Sequence, residues 1–173
     1  MKWIVKMILA LLLCLPVQSW AFPNEPNGFR DLYWGENIKE INGDRKVNCL
    51  YDSKETNSAV YAIQFTDRES KMVSNILSSS NGFFATFWND KLWKIQVYFS
   101  EKNHFSLLKE RMILLYGEPK YNNAKSCIWV GNLTTIILEN VDYTGNNVRI
   151  TLIANSIKRE MYLDKGQHRD VKG

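Results

Sequence analysis

Apolar positions follow three patterns along this chain. Met7–Leu15 (MILALLLCL) is an unbroken apolar run, preceded by Lys2 and Lys6 and broken by Pro16. Later stretches alternate apolar and polar residues with a period of two, the spacing of a strand with one buried face. Others place apolar residues three and four apart, the spacing of a helix packed on one side. The period-two stretches predict strands over Val47–Tyr51, Ala59–Phe65, Gly82–Trp88, Leu92–Ser100, Ser126–Gly131, Thr134–Asn140 and Val148–Ala154. Polar connections separate them: Ser53–Ser58 in the first hairpin and Asp142–Asn147 between the last pair. Asn42-Gly43-Asp44 reads as a turn after a single helical turn at Glu36–Ile41.

The helical spacing is best developed over His104–Tyr116. Phe105, Leu108, Met112 and Leu115 form its stripe, with Lys109, Glu110 and Arg111 opposite. Asn103 suits the N-cap, Gly117 the C′ position, and Pro119 prevents continuation. A shorter helix is predicted over Arg68–Leu77, ended by Ser78-Ser79-Ser80-Asn81-Gly82. The clearest hairpin joins Gly82–Trp88 to Leu92–Ser100. A three-residue loop, Asn89-Asp90-Lys91, sets Phe83, Ala85 and Phe87 beside Trp93, Ile95 and Val97 on one apolar face. Ile63-Gln64-Phe65 and Ile95-Gln96-Val97 each precede a helical stretch, which is either a small duplication or a coincidence. The predicted class is α+β: a curved, mostly antiparallel sheet with one long and one short helix packed on one face.

The N-terminal pattern is that of an export signal. A basic start, a short apolar run and small residues at Ser19 and Ala21 place cleavage after Ala21. The run falls short of the ~18 apolar residues that span a bilayer; the competing arrangement is an uncleaved anchor. The expected organisation is a signal peptide at 1–21, a single domain at 22–157 and a polar, flexible tail at 158–173. The proline- and asparagine-rich Phe22–Gly28 reads as a flexible lead-in. The mature chain then has no membrane span and a periplasmic or secreted location.

Charge and cysteines narrow the classes. The net charge is +4, it falls when Lys2 and Lys6 leave, and the basic residues are dispersed. This argues against nucleic acid as a partner. Of three cysteines, Cys14 leaves with the signal, and Leu13 stands where a lipid-attachment motif wants a small residue. Cys49 and Cys127 are the remaining pair, and an exported chain with two cysteines suggests a disulfide between them. The alternative is a pair of reduced, buried thiols. No metal or cofactor is implied: histidines occur only at 104 and 168, and the sequence has no H-E-x-x-H, G-x-S-x-G or phosphate loop. Asp67 and Glu69 are the nearest approach to a carboxylate pair. Asn132-Leu133-Thr134 matches a glycosylation sequon.

Aromatic residues are abundant: six tryptophans, eight tyrosines and eight phenylalanines. Most suit a core. Trp88 and Tyr98, on the far side of the hairpin from its apolar face, and Tyr33 in the lead-in are the candidates for an exposed binding patch. Phe29-Arg30, Trp34-Gly35, the Lys91-Leu92-Trp93-Lys94-Ile95 strand, Tyr116-Gly117-Glu118-Pro119 and Trp129 together resemble small exported proteins of unknown function in Gram-negative bacteria. Those open with an F-R-x-x-x-W-G-like motif and carry a helix ending in Y-G-x-P. The resemblance covers most of the mature chain and implies an envelope location. It brings no activity or site residues. The chain departs from it in lacking a glycine between Trp88 and Leu92.

The functional expectation is a non-catalytic binding or accessory module of the envelope, with an unknown protein or a glycan as partner. An inhibitor presenting a loop to an enzyme cleft is the variant within that class. A hydrolase relying on carboxylates alone is the alternative outside it.

Overall fold

Strand propensity, turn chemistry and two register shifts account for the architecture. The computed structural model describes residues 21–41, 45–64, 82–100, 104–141 and 147–170. A small hairpin, β1 (Gly28–Phe29) and β2 (Leu32–Tyr33), leads into a 3-10 turn at Ile38–Glu40. That turn is held by a capping box. The Asn37 side chain accepts from the Lys39 amide, and the Glu40 carboxylate accepts from the Asn37 amide. Strands β3 (Val47–Ser53), β4 (Ser58–Gln64), β5 (Gly82–Trp88) and β6 (Lys91–Ser100) precede helix α1 (His104–Tyr116). Strands β7 (Tyr121–Asn122), β8 (Ser126–Val130), β9 (Thr134–Asn140) and β10 (Asn147–Ala154) lead into α2 (Asn155–Asp170).

The described strands β3 to β10 form one antiparallel sheet in the order β3-β4-β5-β6-β10-β9-β8-β7. The α+β class expected from the pattern is therefore observed. The short helix expected at Arg68–Leu77, the Asn103 cap and the carboxylates Asp67 and Glu69 lie outside the described residues. No helix among the described residues is long and apolar enough to cross a membrane.

The β5–β6 hairpin closes through two residues, not three. Asn89 and Asp90 both take positive φ, +48° and +61°, and Trp88 pairs with Lys91. A two-residue turn of this hand matches the right-handed twist of its strands. Asn and Asp tolerate the left-handed region without glycine. The expected mixing of faces is avoided by a bulge. Phe87 pairs with Leu92 but Thr86 pairs with Lys94, so Trp93 is the extra residue. Leu92, Ile95, Val97 and Phe99 then join Phe83, Ala85 and Phe87 on one buried face. Trp93 belongs to the opposite side, which corrects its expected place beside Ile95.

α1 packs on the first face. Leu108 and Met112 are buried, with Phe105, Ile113 and Tyr116 half-buried against the same core. Burial of each of the two is worth about 1.5–3 kcal/mol. The stripe is rotated from the expected one: Leu115 is exposed and Lys109 is half-buried, because Ile113 and Tyr116 complete the inner face. Gly117 ends the helix at φ +74°, its amide donating to the Ile113 carbonyl at 2.8 Å. Its own carbonyl accepts from the indole of fully buried Trp129 at 2.8 Å.

Two segments expected to be loose are built into the structure. Phe22 packs edge-to-face on Tyr116 at 5.5 Å. Asn24 donates to the Leu115 carbonyl at 2.7 Å, satisfying an orphan acceptor at the end of α1. Glu25 Oε1 accepts from the Leu133 and Thr134 amides at 2.6 Å each. The stretch from Lys158 to Asp170 is helical, so the expected boundary at 157/158 falls inside α2. Ile157 and Met161, one turn apart, are buried in a second cluster with Trp88 and Ala154, and Trp34 and Trp93 pack against it.

The disulfide is also corrected: Cys49 and Cys127 are both free thiols. Cys49 lies exposed on edge strand β3, whereas Cys127 is buried on β8. Five strands intervene in the sheet. At ~4.8 Å per strand step the separation is on the order of 29 Å, far beyond the ~4.4–6.8 Å between Cα atoms that a disulfide bridges.

Candidate functional site

The three aromatic candidates do not form one patch. Tyr33 is exposed on the β1–β2 hairpin. Trp88 is buried, because α2 lays Ile157 and Met161 over it. It is a core residue of the second cluster and not part of an exposed binding patch. Tyr98 is half-buried in a cross-strand row. It meets the Phe84 ring edge-to-face at 5.5 Å, and its hydroxyl accepts from Arg149 Nη1 at 3.2 Å. Arg149 also donates from Nε to Glu139 at 3.0 Å. The Tyr98 hydroxyl and the Glu139 carboxylate keep this guanidinium firmly charged. The row closes on itself and offers a ligand few unused groups. On the same side of the sheet, burial pushes the Lys94 ammonium down, and the nearby Arg149 charge pushes it the same way. Lys94 is in addition seated 5.2 Å from the centroid of the Trp93 ring.

A better-formed concavity lies where the β8–β9 hairpin meets α2. Asn155, the first residue of α2, is the joint. Its amide donates to the Leu133 carbonyl at 2.8 Å, its side-chain Nδ2 to the Gly131 carbonyl at 2.8 Å, and its Oδ1 accepts from Thr135 at 2.8 Å. The hairpin end is pinned from the other side by Glu25. A Cβ at Gly131 would collide with that carboxylate, so a side chain there would push Glu25 off the hairpin end. Thr134, fully buried, accepts from the Trp34 indole at 2.7 Å and donates to the Pro26 carbonyl at 2.5 Å. The helix start, the hairpin end and the lead-in are thus locked together by hydrogen bonds between distant parts of the chain.

Over this frame runs a cleft of about 570 Å³, lined by Val130, Gly131, Asn132 and Thr135 from the hairpin and by Asn155, Lys158, Arg159, Tyr162 and Leu163 from α2. The helical contribution is the i, i+3, i+4, i+7, i+8 stripe, one continuous face. A second cleft, of about 460 Å³, lies across the hairpin turn and is lined by Phe22, Pro23, Tyr116, Glu118, Lys120 and Trp129 among others. Gly131 and Asn132 line both. Among the described residues, no group of three or more His, Cys, Asp or Glu is arranged to hold a metal ion.

The α2 residues of this cleft were missed because the stretch reads as polar. Their helical spacing was the available signal. Ile157 and Met161 mark one stripe, and Tyr162 and Leu163 mark another. In comparisons with known proteins, no family model, curated protein or solved structure matches this chain.

Proposed function

We propose that this protein is an exported, non-catalytic accessory module that works by holding a protein partner in the periplasm or outside the cell. The observation that carries this reading is the second face of α2. The helix already buries Ile157 and Met161 on the sheet, yet it turns Tyr162 and Leu163 outward, 60% and 63% exposed, into a cleft with a rigid floor. Exposed aromatic and aliphatic side chains beside a preformed concavity are the usual anchors of an interface. The leader-like N-terminus and the resemblance to exported proteins support the location. Among the described residues, the cleft lining holds two cations, amides, a hydroxyl and a phenol, a set suited to recognition.

The test uses the mature chain from Phe22 as bait against envelope extract, beside a Tyr162→Ala/Leu163→Ala variant. The reading expects discrete partners on the wild-type chain, lost on the variant, with melting midpoints within a few degrees of each other. Identical capture by both chains would remove the cleft from the function.

A further inference from the structure

The binding reading leaves the chemistry of the partner open, and this inference rests on that reading. We propose that the α2 cleft takes an acidic peptide segment of its partner. Carboxylates of that segment meet Lys158 and Arg159, and an apolar side chain of it packs on Tyr162, Leu163 and Val130.

The charge distribution around α2 carries the argument. Lys158 and Arg159 both line the cleft, and no carboxylate is among the lining residues. Two acids of the same helix, Glu160 and Asp164, stand elsewhere. Glu160 pairs with Lys91 at 3.0 Å on the side that faces the β5–β6 turn, and Asp164, which has a partner of its own, is not part of the lining. Positions 158, 159, 162 and 163 therefore form a basic and apolar stripe, separate from the stripe of 160 and 164. Within it, the Lys158 ammonium lies 6.0 Å from the centroid of the Tyr162 ring. A cation at that distance is only weakly held by the ring and keeps its capacity for a carboxylate.

The cleft also restricts what can fill it. Asn155 and Thr135 spend their side-chain hydrogen bonds on each other and on Gly131, so the floor presents no strong array for a sugar. The cations stand at the rim of a concave wall, and an extended acidic segment with an apolar side chain satisfies both features together. Opposite charge at a rim acts chiefly on encounter rate and specificity, and salt screens it within a Debye length of ~8–10 Å.

The test is fluorescence anisotropy on the mature chain with a short labelled peptide in which glutamates flank one leucine and one phenylalanine. The same peptide with every glutamate replaced by glutamine runs beside it. The proposal expects the acidic peptide to bind at least roughly tenfold more tightly, with the advantage shrinking as salt is raised. Lys158→Glu/Arg159→Glu should abolish that advantage, whereas Lys39→Glu/Lys54→Glu, an equal charge change at exposed sites elsewhere, should leave it. Unchanged thermal melts certify that each variant is folded. Equal affinity for the two peptides, binding of neither, or an advantage that survives the 158/159 reversal overturns the proposal. So does reversal-sensitive binding to phosphatidylglycerol vesicles without binding to the acidic peptide, which would assign the stripe to a membrane surface. If partner capture depends on Tyr162 and Leu163 but not on Lys158 and Arg159, the binding reading survives and this inference falls.

Discussion

The two described helices are anchored in different ways, and the contrast explains why only one was visible in the sequence. α1 covers the first face of the sheet with a broad stripe: Leu108 and Met112 buried, Phe105, Ile113 and Tyr116 half-buried. It must supply much of the apolar area itself, so its pattern is explicit. α2 needs only Ile157 and Met161, because the sheet and the lead-in bring Trp88, Trp93 and Trp34 to it. Tryptophan buries a large area per residue. A mostly polar helix can therefore be held by aromatic residues that lie far from it in the sequence. Both helices also turn apolar side chains outward: Tyr162 and Leu163 on α2, where they line the cleft, and Leu107, Leu114 and Leu115 on α1.

The largest expected difference is in the reactivity of the two thiols, one at the sheet edge and one in the core. Cys127 lies under α1, fully buried, and burial pushes its thiol up. Cys49 is exposed on β3. Titration of the chain from Phe22 with a thiol reagent should find two thiols when it is denatured and unreduced, and one fast-reacting thiol when it is native. The second should react orders of magnitude more slowly, limited by opening of the structure. No free thiol after denaturation would restore the disulfide.

Removing the anchor of α2 should cost more than removing any one apolar group of the helix. Trp88→Ala is expected to lose about 3–5 kcal/mol in denaturant melts, through lost burial and the cavity left under Ile157 and Met161. A loss below about 1 kcal/mol would mean that α2 does not rest on Trp88. In α1, Leu108→Ala should cost about 2–5 kcal/mol, while Leu114→Ala, at a position 85% exposed, should change stability by under about 0.5 kcal/mol. Equal effects would put the wrong face of α1 on the sheet.

Glu25 tests whether the lead-in belongs to the fold. Glu25→Ala removes the acceptor of the Leu133 and Thr134 amides and should cost about 1–3 kcal/mol, the range for a charged acceptor withdrawn from partners that lose water. The smallest effect is expected at the ion pair between α2 and the hairpin. Lys91 and Glu160 are about half exposed, so Glu160→Gln should cost about 0.2–1 kcal/mol and less at high salt. A larger loss would show that α2 is held by charge as well as by tryptophan.

Much of the sheet was legible, because strands such as Thr134–Asn140 alternate cleanly between buried and half-buried residues and one face must avoid water. α1 was legible from its spacing and from Gly117, where a left-handed residue can stop a helix. The hairpin register was not. It depended on Asn89 and Asp90 adopting positive φ together and on a bulge at Trp93, a local choice made by the fit of two faces. The cleft was not legible either. Its walls come from two stretches, residues 130–135 and 155–163, joined at Asn155, and Trp88 is no part of a surface patch because α2 covers it.

Local patterning therefore determined most of the strands, the long helix and its stop, since these depend on neighbours within a few residues along the chain. The pairing of Trp88 with Ile157, the separation of Cys49 from Cys127, the role of Glu25 at the hairpin end and the uncovered face of α2 belong to the folded chain alone. Each depends on which distant segments exclude water from one another, and that is settled by the whole sheet closing over its core.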